Sequence, residues 1–357
     1  MSLKVLMCLP SLNYNGVASY VLNYVFNISS EEIEFDFLVE EEVNDKLLNK
    51  LHKKGCKVFV ISKFINIVKF KNDVKAFFNN HKYDIVHCNT VNSSMFICYY
   101  AKINSIRVRI IHSHASKISD DNTKAFIGKL MSHFAIKYAT SLFACSYLAG
   151  EKIFNNKKFK VINNAIDISK YKASKKTLEF KEKYNLNDLT IIGHIGRFSI
   201  QKNHRFLINV FKEYLRINAK SKLILIGDGE EKNDIIDFVK LNDLDDYVLM
   251  FSNMDVTRIL PSFNVFLLPS LYEGLPVVGI EAQAANVPLL CSDTITRELK
   301  LSKNVYFLNL NDDVSIWANA INYIIKNKVD SKLSNEYDIK IQARKLVSIY
   351  YDLVNES

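Results

Sequence analysis

Residues 264–288 read NVFLLPSLYEGLPVVGIEAQAANVP. The segment opens with an apolar run, NVFLLP, of the length and composition of a strand buried on both faces. Gly274-Leu275-Pro276 marks a tight turn, and Pro276 suits the first turn of a helix, where its missing N–H costs nothing. The residues after it read as that helix. Strand, turn and helix are the repeating half of a parallel βαβ unit, and the same rhythm extends outward in both directions. Upstream it appears as KVLMCLP then GVASYVLNYVFNI, EFDFLVE then VNDKLLNKLHKKG, and KVFVIS then VKFKNDVKAFFNNH. It continues as DIVHCN then SSMFICYYAKI, VRIIHSHAS then AFIGKLMSHFAIKYA, and SLFACS then a short helix. It loosens over VINNAIDISKYK (161–172) and restarts with TIIGHIGRF, KNHRFLINVFKEYLRI, KLILIGDG, EEKNDIIDFVKLN and YVLMFS. Such alternation predicts an α/β chain with parallel sheets covered by helices on both faces, and two series predict two doubly wound domains. Ligands bind such domains outside the carboxyl ends of the strands, so a cleft between two of them faces both sets of loops.

A chain of 357 residues has room for about two domains of ordinary size. Its hydrophobic content of 48% argues for packed cores, not disorder. No apolar run approaches the ~20 residues that span a bilayer. The start, MSLKVLMCLPSLNYNG, is a short apolar strand and a turn, without the basic region, long apolar core and cleavage site of a secretory signal. Cys8, Cys56, Cys88, Cys98, Cys145 and Cys291 are scattered with no C-x-x-C spacing. That pattern argues against a zinc site or a disulfide framework, and makes a reducing cytoplasm the expected compartment.

The formal charge of +9 is uneven. Residues 1–172 hold 24 Lys and Arg against 14 Asp and Glu, a net of +10; the remainder hold 23 against 24, a net of −1. A solvated Lys-rich surface fits this asymmetry, and so does a surface that meets an anionic partner. No zinc-finger, RRM or basic-zipper pattern points to nucleic acid. An anionic membrane leaflet or a phosphate-bearing lipid substrate suits the charge. Segment 125–138 places apolar residues at 126, 127, 130, 131, 134 and 138, one helical face flanked by Lys124, Lys129 and Lys137. That face either meets the core or lies on a membrane surface.

Candidate chemistry gathers at the strand ends. In GRFSIQKNH, Arg197 and Lys202 fall between a strand and a helix, where a fork and a mobile point charge can neutralise a diphosphate. Gly16, after Asn15, follows the first strand and permits close backbone approach, and LILIGDGEE adds Gly227 and Gly229. None of these turns forms G-x-G-x-x-G, which speaks against a nicotinamide site. His87, His112 and His114 lie at strand ends. His112 and His114 share a face of an extended chain, and His114, nearer the loop, is the better placed to reach a substrate. No third metal ligand accompanies them. Asp243-Leu244-Asp245 reads as a solvated connection, not a metal site. Glu273 and Glu281 remain: carboxylates near a buried strand are costly unless paired. Two acids along one edge of an anion-binding helix suit a ligand with two polyol parts joined by phosphate, the form of a nucleotide sugar.

With these residues in view, the chain resembles the retaining GT-B glycosyltransferases of family 4. Glu273 to Glu281 matches their E-x7-E motif, and the resemblance extends over essentially the whole chain. It runs through Gly16, HSHAS, NNAID, GRFSIQKNH, IGDG and LPSLYEGLPVVGIEAQAANVP. The last block with SDTITREL looks like the bacterial transferases that build capsular or exopolysaccharide repeat units. The resemblance implies a GT-B fold of two Rossmann-like domains facing a central cleft. Residues 1–166 would form the acceptor side and 167–339 the donor domain, with helix 340–357 packing back on the first. It implies transfer of a hexose or N-acetylhexosamine from a UDP-sugar to a lipid-linked oligosaccharide, with retention, no metal and no cofactor. It implies further that Arg197 and Lys202 hold the diphosphate and Glu281 the ribose hydroxyls. Glu273 would hold sugar hydroxyls, supported by the backbone of Gly274, Leu275, Pro276 and Val277. His114 would contact the sugar from the other domain, and Gly16 would admit the diphosphate. The expected site is cytoplasmic, on the inner face of the plasma membrane, with no nucleic-acid partner. The sequence departs from the family pattern at Asn15-Gly16, at Ala165 and Asn286 where Gly is usual, and near MFSNMDV. A nucleotide-sugar epimerase of the same architecture and a degenerate partner protein are the alternative readings.

Overall fold

The computed structural model describes residues 2–13, 16–114, 122–252 and 254–357; for 122–127, 129 and 130 it describes the backbone only. The chain divides into two compact units, Met1–Ala165 with Asp338–Ser357, and Ile166–Tyr337.

The first unit is built on a parallel sheet of β1 (Leu3–Leu9), β2 (Ile33–Val39), β3 (Val58–Val60), β4 (Ile85–Cys88), β5 (Val108–Ser113), β6 (Ser141–Ala144) and β7 (Lys160–Val161). Their order is β3-β2-β1-β4-β5-β6-β7. β1 is apolar almost throughout because it is central: Val5 faces Phe35 on one side and Ile85 on the other. β7 ends the sheet as a two-residue edge with Lys160 and Val161 both exposed, a form that discourages further pairing. Helix Gly16–Asn27 covers the sheet with Ala18, Tyr20, Val21, Tyr24 and Val25. Helix Ile339–Asn355 joins the same core through Ile339, Ala343, Leu346, Val347 and Tyr350, and Asp338 caps it by accepting from the Lys340 N–H. Each such aliphatic side chain removed from water contributes about 1.5–3 kcal/mol, which ties the end of the chain to its beginning.

The second unit holds β8 (Thr190–Ile195), β9 (Ser221–Ile226), β10 (Val248–Phe251), β11 (Val265–Leu268), β12 (Leu289–Ser292) and β13 (Val305–Leu308). They are parallel, in the order β10-β9-β8-β11-β12-β13. Helix His204–Ile217 turns Leu207, Ile208, Val210, Phe211 and Tyr214 inward, and helix Val314–Lys326 buries Trp317, whose indole N–H donates to the Asn309 carbonyl at 3.0 Å. In each unit the order reverses beside a central strand, between β1 and β4 and between β8 and β11. Helices there leave on opposite faces, and the diverging loops open a crevice at the strand ends.

Two local expectations change. Pro276 does not occupy the first helical position; it is the capping residue, with φ −69° and ψ 119°, and the helix runs Val277–Ala284. Asn286 has φ +53°, the left-handed conformation that ends a helix without a Cβ clash only for Gly and, among other residues, most readily for Asn. Its side chain also donates to Asp330 at 2.8 Å and accepts from the Ser331 N–H at 3.3 Å. The departure from Gly at 286 is therefore conformationally conservative.

Candidate functional site

In the second unit, the loops after β8 and β11 are laced together by one backbone and one side-chain hydrogen bond. The Leu271 N–H donates to the Gln201 carbonyl at 2.8 Å, and Gln201 Nε2 donates to the Tyr272 carbonyl at 2.8 Å. This lacing sets Lys202 opposite Glu273, 2.5 Å apart, with side chains only 14% and 10% exposed. Lys202 ends a short 3₁₀ turn, Ile200–Lys202, and Asn203 follows at φ +57° before the next helix. The Lys202 stem lies along Gly196, where a Cβ would come within 3.2 Å of its Cδ and Cε. Beneath are His194 and His204, rings 4.9 Å apart edge to face. His194 Nδ1 donates to the Leu267 carbonyl at 2.8 Å, and His204 stacks on Phe198. Burial, with the Lys202 charge adding, pushes the His204 pKa down to about 4.

Arg197 and Lys202, read together as a diphosphate pair, take different partners here. Arg197 is 71% exposed and its Nε meets Glu230 at 2.9 Å. Gly227 and Gly229 also have a reading the sequence did not supply. A Cβ at Gly227 would collide with the Gly196 carbonyl, and one at Gly229 with that of Phe198. The two glycines let the β8 and β9 loops pack backbone to backbone.

Gly274, Leu275 and Pro276 are buried and Val277 is partly so. In the first turn of helix Val277–Ala284 the Gly279 N–H donates to the Pro276 carbonyl at 3.0 Å, and the helix itself supplies no carbonyl to the N–H groups of Val277 and Val278. One turn on, Glu281 is partly buried and accepts from the Tyr171 hydroxyl at 2.6 Å. Burial raises the Glu281 pKa, and the Tyr171 hydrogen bond only partly offsets it. Tyr171, 6% exposed, belongs to a 3₁₀ turn, Ile168–Tyr171, in the loosened segment between the two series. Sequence reasoning passed it over; a lone Tyr in an irregular connection carries no pattern.

In the first unit, Gly16 opens its helix, exposed, with open space where a Cβ would be. Its neighbour Asn15 lies outside the described residues, as do the last two residues of HSHAS and Asn253 in MFSNMDV. Side chains of the 125–138 stripe are likewise described only in part; of that stripe Phe134 is 41% exposed. His114 directly follows β5, partly buried, its Nε2 3.0 Å from Asn89 Oδ1. Its ring stacks on His112 at 4.1 Å and meets Tyr20 at 4.7 Å. His112 Nδ1 is 3.1 Å from His87 Nε2, and His87 Nδ1 is 2.6 Å from the Tyr350 hydroxyl. The three strand-end histidines thus form one row, anchored on the C-terminal helix. Burial pushes the His87 and His114 pKa values down to about 3, so both rings are neutral. Among the described residues no group of three or more His, Cys, Asp or Glu is placed to hold a metal, and no helix is long and apolar enough to cross a membrane. Asp243 and Asp245 are exposed in their loop.

Residues 190–327 match a family model described as Glycosyl transferases group 1. Over 332 residues the chain is 28% identical to a Bacillus subtilis protein carrying the name glycosyltransferase EpsF, covering 89% of this chain and 86% of that one. It is 25% identical to the Escherichia coli UDP-Gal:alpha-D-GlcNAc-diphosphoundecaprenol alpha-1,3-galactosyltransferase, covering 90% and 92%. It is 25% identical to the capsular polysaccharide biosynthesis glycosyltransferase CapM of Staphylococcus aureus, covering 86% and 93%. The crystal structure of Anabaena HepE in complex with UDP and glucose superposes with a TM-score of 0.76 at 16% identity, covering 99% of this chain and 98% of that one. At that identity the match is one of fold, two Rossmann-like domains of the GT-B type.

Proposed function

We infer that this chain, a group 1 glycosyltransferase related to bacterial capsular and exopolysaccharide transferases, moves a hexose or N-acetylhexosamine from a UDP-sugar to a lipid-linked oligosaccharide. Transfer proceeds with retention and without a metal. The observation that carries the reading is the Lys202–Glu273 pair, laced into the order reversal of the second unit beside the start of helix Val277–Ala284. An ammonium has three donors, so Lys202 turns one to the diphosphate while keeping Glu273. Arg197 exchanges Glu230, an exposed partner worth little in water, for phosphate oxygens. Glu273 then holds sugar hydroxyls and Glu281 the ribose hydroxyls. Gly274, Leu275 and Val277 supply N–H groups, and Pro276, which has none, sets the turn. The first unit contributes His114 to the sugar and Gly16 to the passage of the diphosphate.

In the reaction the bond from the anomeric carbon to the diphosphate oxygen breaks, and the acceptor oxygen bonds that carbon on the same face. The acceptor proton passes to the departing phosphate oxygen. Lys202 and Arg197 stabilise the charge that develops there, and electrostatic stabilisation of this kind lowers the barrier more than any other effect in such a site. The E. coli relative's name specifies UDP-Gal and a diphosphoundecaprenol acceptor, and HepE is in complex with UDP and glucose; both support the choice of substrates. The basic first unit suits work on the inner face of the plasma membrane, where a lipid-linked acceptor resides.

The test is equilibrium binding of UDP and a panel of UDP-sugars, followed by turnover on a diphospholipid-linked sugar. Lys202→Ala and Glu273→Gln are expected to lower kcat by about 10²–10³-fold. Wild-type turnover in either folded variant, or no binding of any UDP-sugar to the parent protein, overturns the assignment.

A further inference from the structure

We propose that Asn89 is a positioning residue for His114: it holds the imidazole in the Nε2–H tautomer and so leaves Nδ1 as an acceptor for a hydroxyl of the donor sugar. The amide is oriented from its far end. Asn89 Nδ2 sits 3.4 Å from the His87 carbonyl and 3.8 Å from Met7 Sδ. A carbonyl oxygen only accepts, so the NH₂ group faces it, and Oδ1, which also only accepts, faces the ring. The ring nitrogen opposite an acceptor carries the proton; the other keeps its lone pair. At 3.0 Å the Nε2–H···Oδ1 geometry is that of a full hydrogen bond.

The support is rigid. Asn89 is 3% exposed, and its backbone N–H donates to the Cys8 carbonyl at 2.7 Å, across the β1–β4 reversal where the sheet opens. The ring plane of His114 is set by His112 of β5, two residues earlier, and by Tyr20 from helix Gly16–Asn27. His112 is itself held through His87 of β4 to Tyr350 of the C-terminal helix. Among the described residues these, with Tyr24 and Cys145 behind Tyr20, are the titratable side chains against His114 or behind it. With the ring neutral, its pKa held down to about 3 by burial, the lone pair persists through the physiological range. A protonated imidazole would offer two donors and could only be read by an acceptor. The fixed tautomer therefore favours a donor sugar with a free hydroxyl at the position His114 meets, over its deoxy or O-methyl analogue.

The tautomer matters to catalysis only through the donor role proposed above for His114. The first measurement is independent of activity: two-bond ¹⁵N–¹H correlations on uniformly ¹⁵N-histidine-labelled full-length protein, with His114 assigned by its loss in His114→Gln. Nε2–H is expected in the parent protein, and an Nδ1–H or charged ring overturns the proposal outright, with no variant needing to fold. In Asn89→Ala the tautomer is expected to mix and kcat/KM to fall about tenfold, the value of one hydrogen bond. An unchanged tautomer there overturns the role of Asn89. Asn89→Asp still accepts from Nε2–H, so it is expected to keep activity at alkaline pH. Its carboxylate raises the His114 pKa, so it gains an acid limb in kcat/KM that the parent protein lacks; the absence of that limb counts against the assignment. If the parent protein shows Nε2–H but His114→Gln turns over normally, the donor role of His114 fails, and the catalytic use of the tautomer with it.

Discussion

Glu273 and Glu281 present the same carboxyl group eight residues apart, and their surroundings compensate them differently. Glu273 faces an ammonium at 2.5 Å; Glu281 faces a neutral hydroxyl at 2.6 Å. A hydroxyl donates one hydrogen bond and no charge, so burial prevails and the Glu281 pKa is raised. The sign for stability follows from linkage. An acid whose folded pKa lies above its unfolded value holds its proton more tightly when folded. Ionised Glu281 therefore costs stability, fully so above its folded pKa and not at all below its unfolded value near 4.3. Glu281→Gln keeps an oxygen for Tyr171 and removes the charge. We expect it to unfold at a temperature equal to or above the parent protein's at pH 8, with the difference shrinking as pH falls toward 5. Affinity for UDP-sugars should fall at the same time. A scanning-fluorimetry series across pH, paired with UDP titration, checks both; a variant less stable at pH 8 contradicts the account. On the proposed role of Glu281 toward ribose, the carboxylate would be kept for function at the expense of the fold.

Among the secondary-structure elements, the turns between strands and helices carry two kinds of special backbone position. Gly227 and Gly229 are required by neighbouring chain, since any Cβ there strikes a carbonyl of the β8 loop that also presents Arg197 and Lys202. Asn286 is required only to adopt φ +53°, which Gly adopts as readily. Gly227→Ala should therefore lose more than about 2 kcal/mol in urea unfolding, because backbone must shift. Asn286→Gly should stay within about 1 kcal/mol, losing one exposed and one half-buried hydrogen bond and chain entropy. Equal effects would show that the β8–β9 loop packing is not the constraint. The IGDG motif was legible in the sequence as a Gly-bearing turn; that its glycines serve loop-on-loop packing was not, because the colliding carbonyls belong to residues about thirty positions away.

Across the molecule, the buried histidines give both units the same response to acid. His87, His112 and His114 in the first unit and His194 and His204 in the second have pKa values depressed, chiefly by burial. Their unfolded counterparts bind protons below about pH 6.5. Unfolding then takes up protons that the folded rings refuse, so stability falls as pH drops below that value, by up to about 1.4 kcal/mol per histidine per pH unit. Urea midpoints measured at pH 7.5, 6.0 and 5.0 should fall steadily, with the steeper loss between the last two. A flat profile would mean that the rings open to solvent in the folded state.

The architecture was legible in the amino-acid order alone: strand and helix periods are local, and each buried run announces its strand without reference to any partner. So was the set of acids, cations and histidines that stand at strand ends, because chain position along a βα unit decides that. Pairings were left to the folded chain. Glu273 with Lys202 spans seventy-one residues, Glu281 with Tyr171 one hundred and ten, and His87 with Tyr350 two hundred and sixty-three. No local pattern encodes such a partner, since a hydrogen bond depends on where two distant loops or elements come to rest. Asn89 shows the division most plainly: its place after a buried strand and the His87 carbonyl that turns its amide are local, two residues apart, but the Cys8 carbonyl that holds its backbone and the His114 ring that meets its Oδ1 come within reach only once β1, β4 and β5 lie side by side.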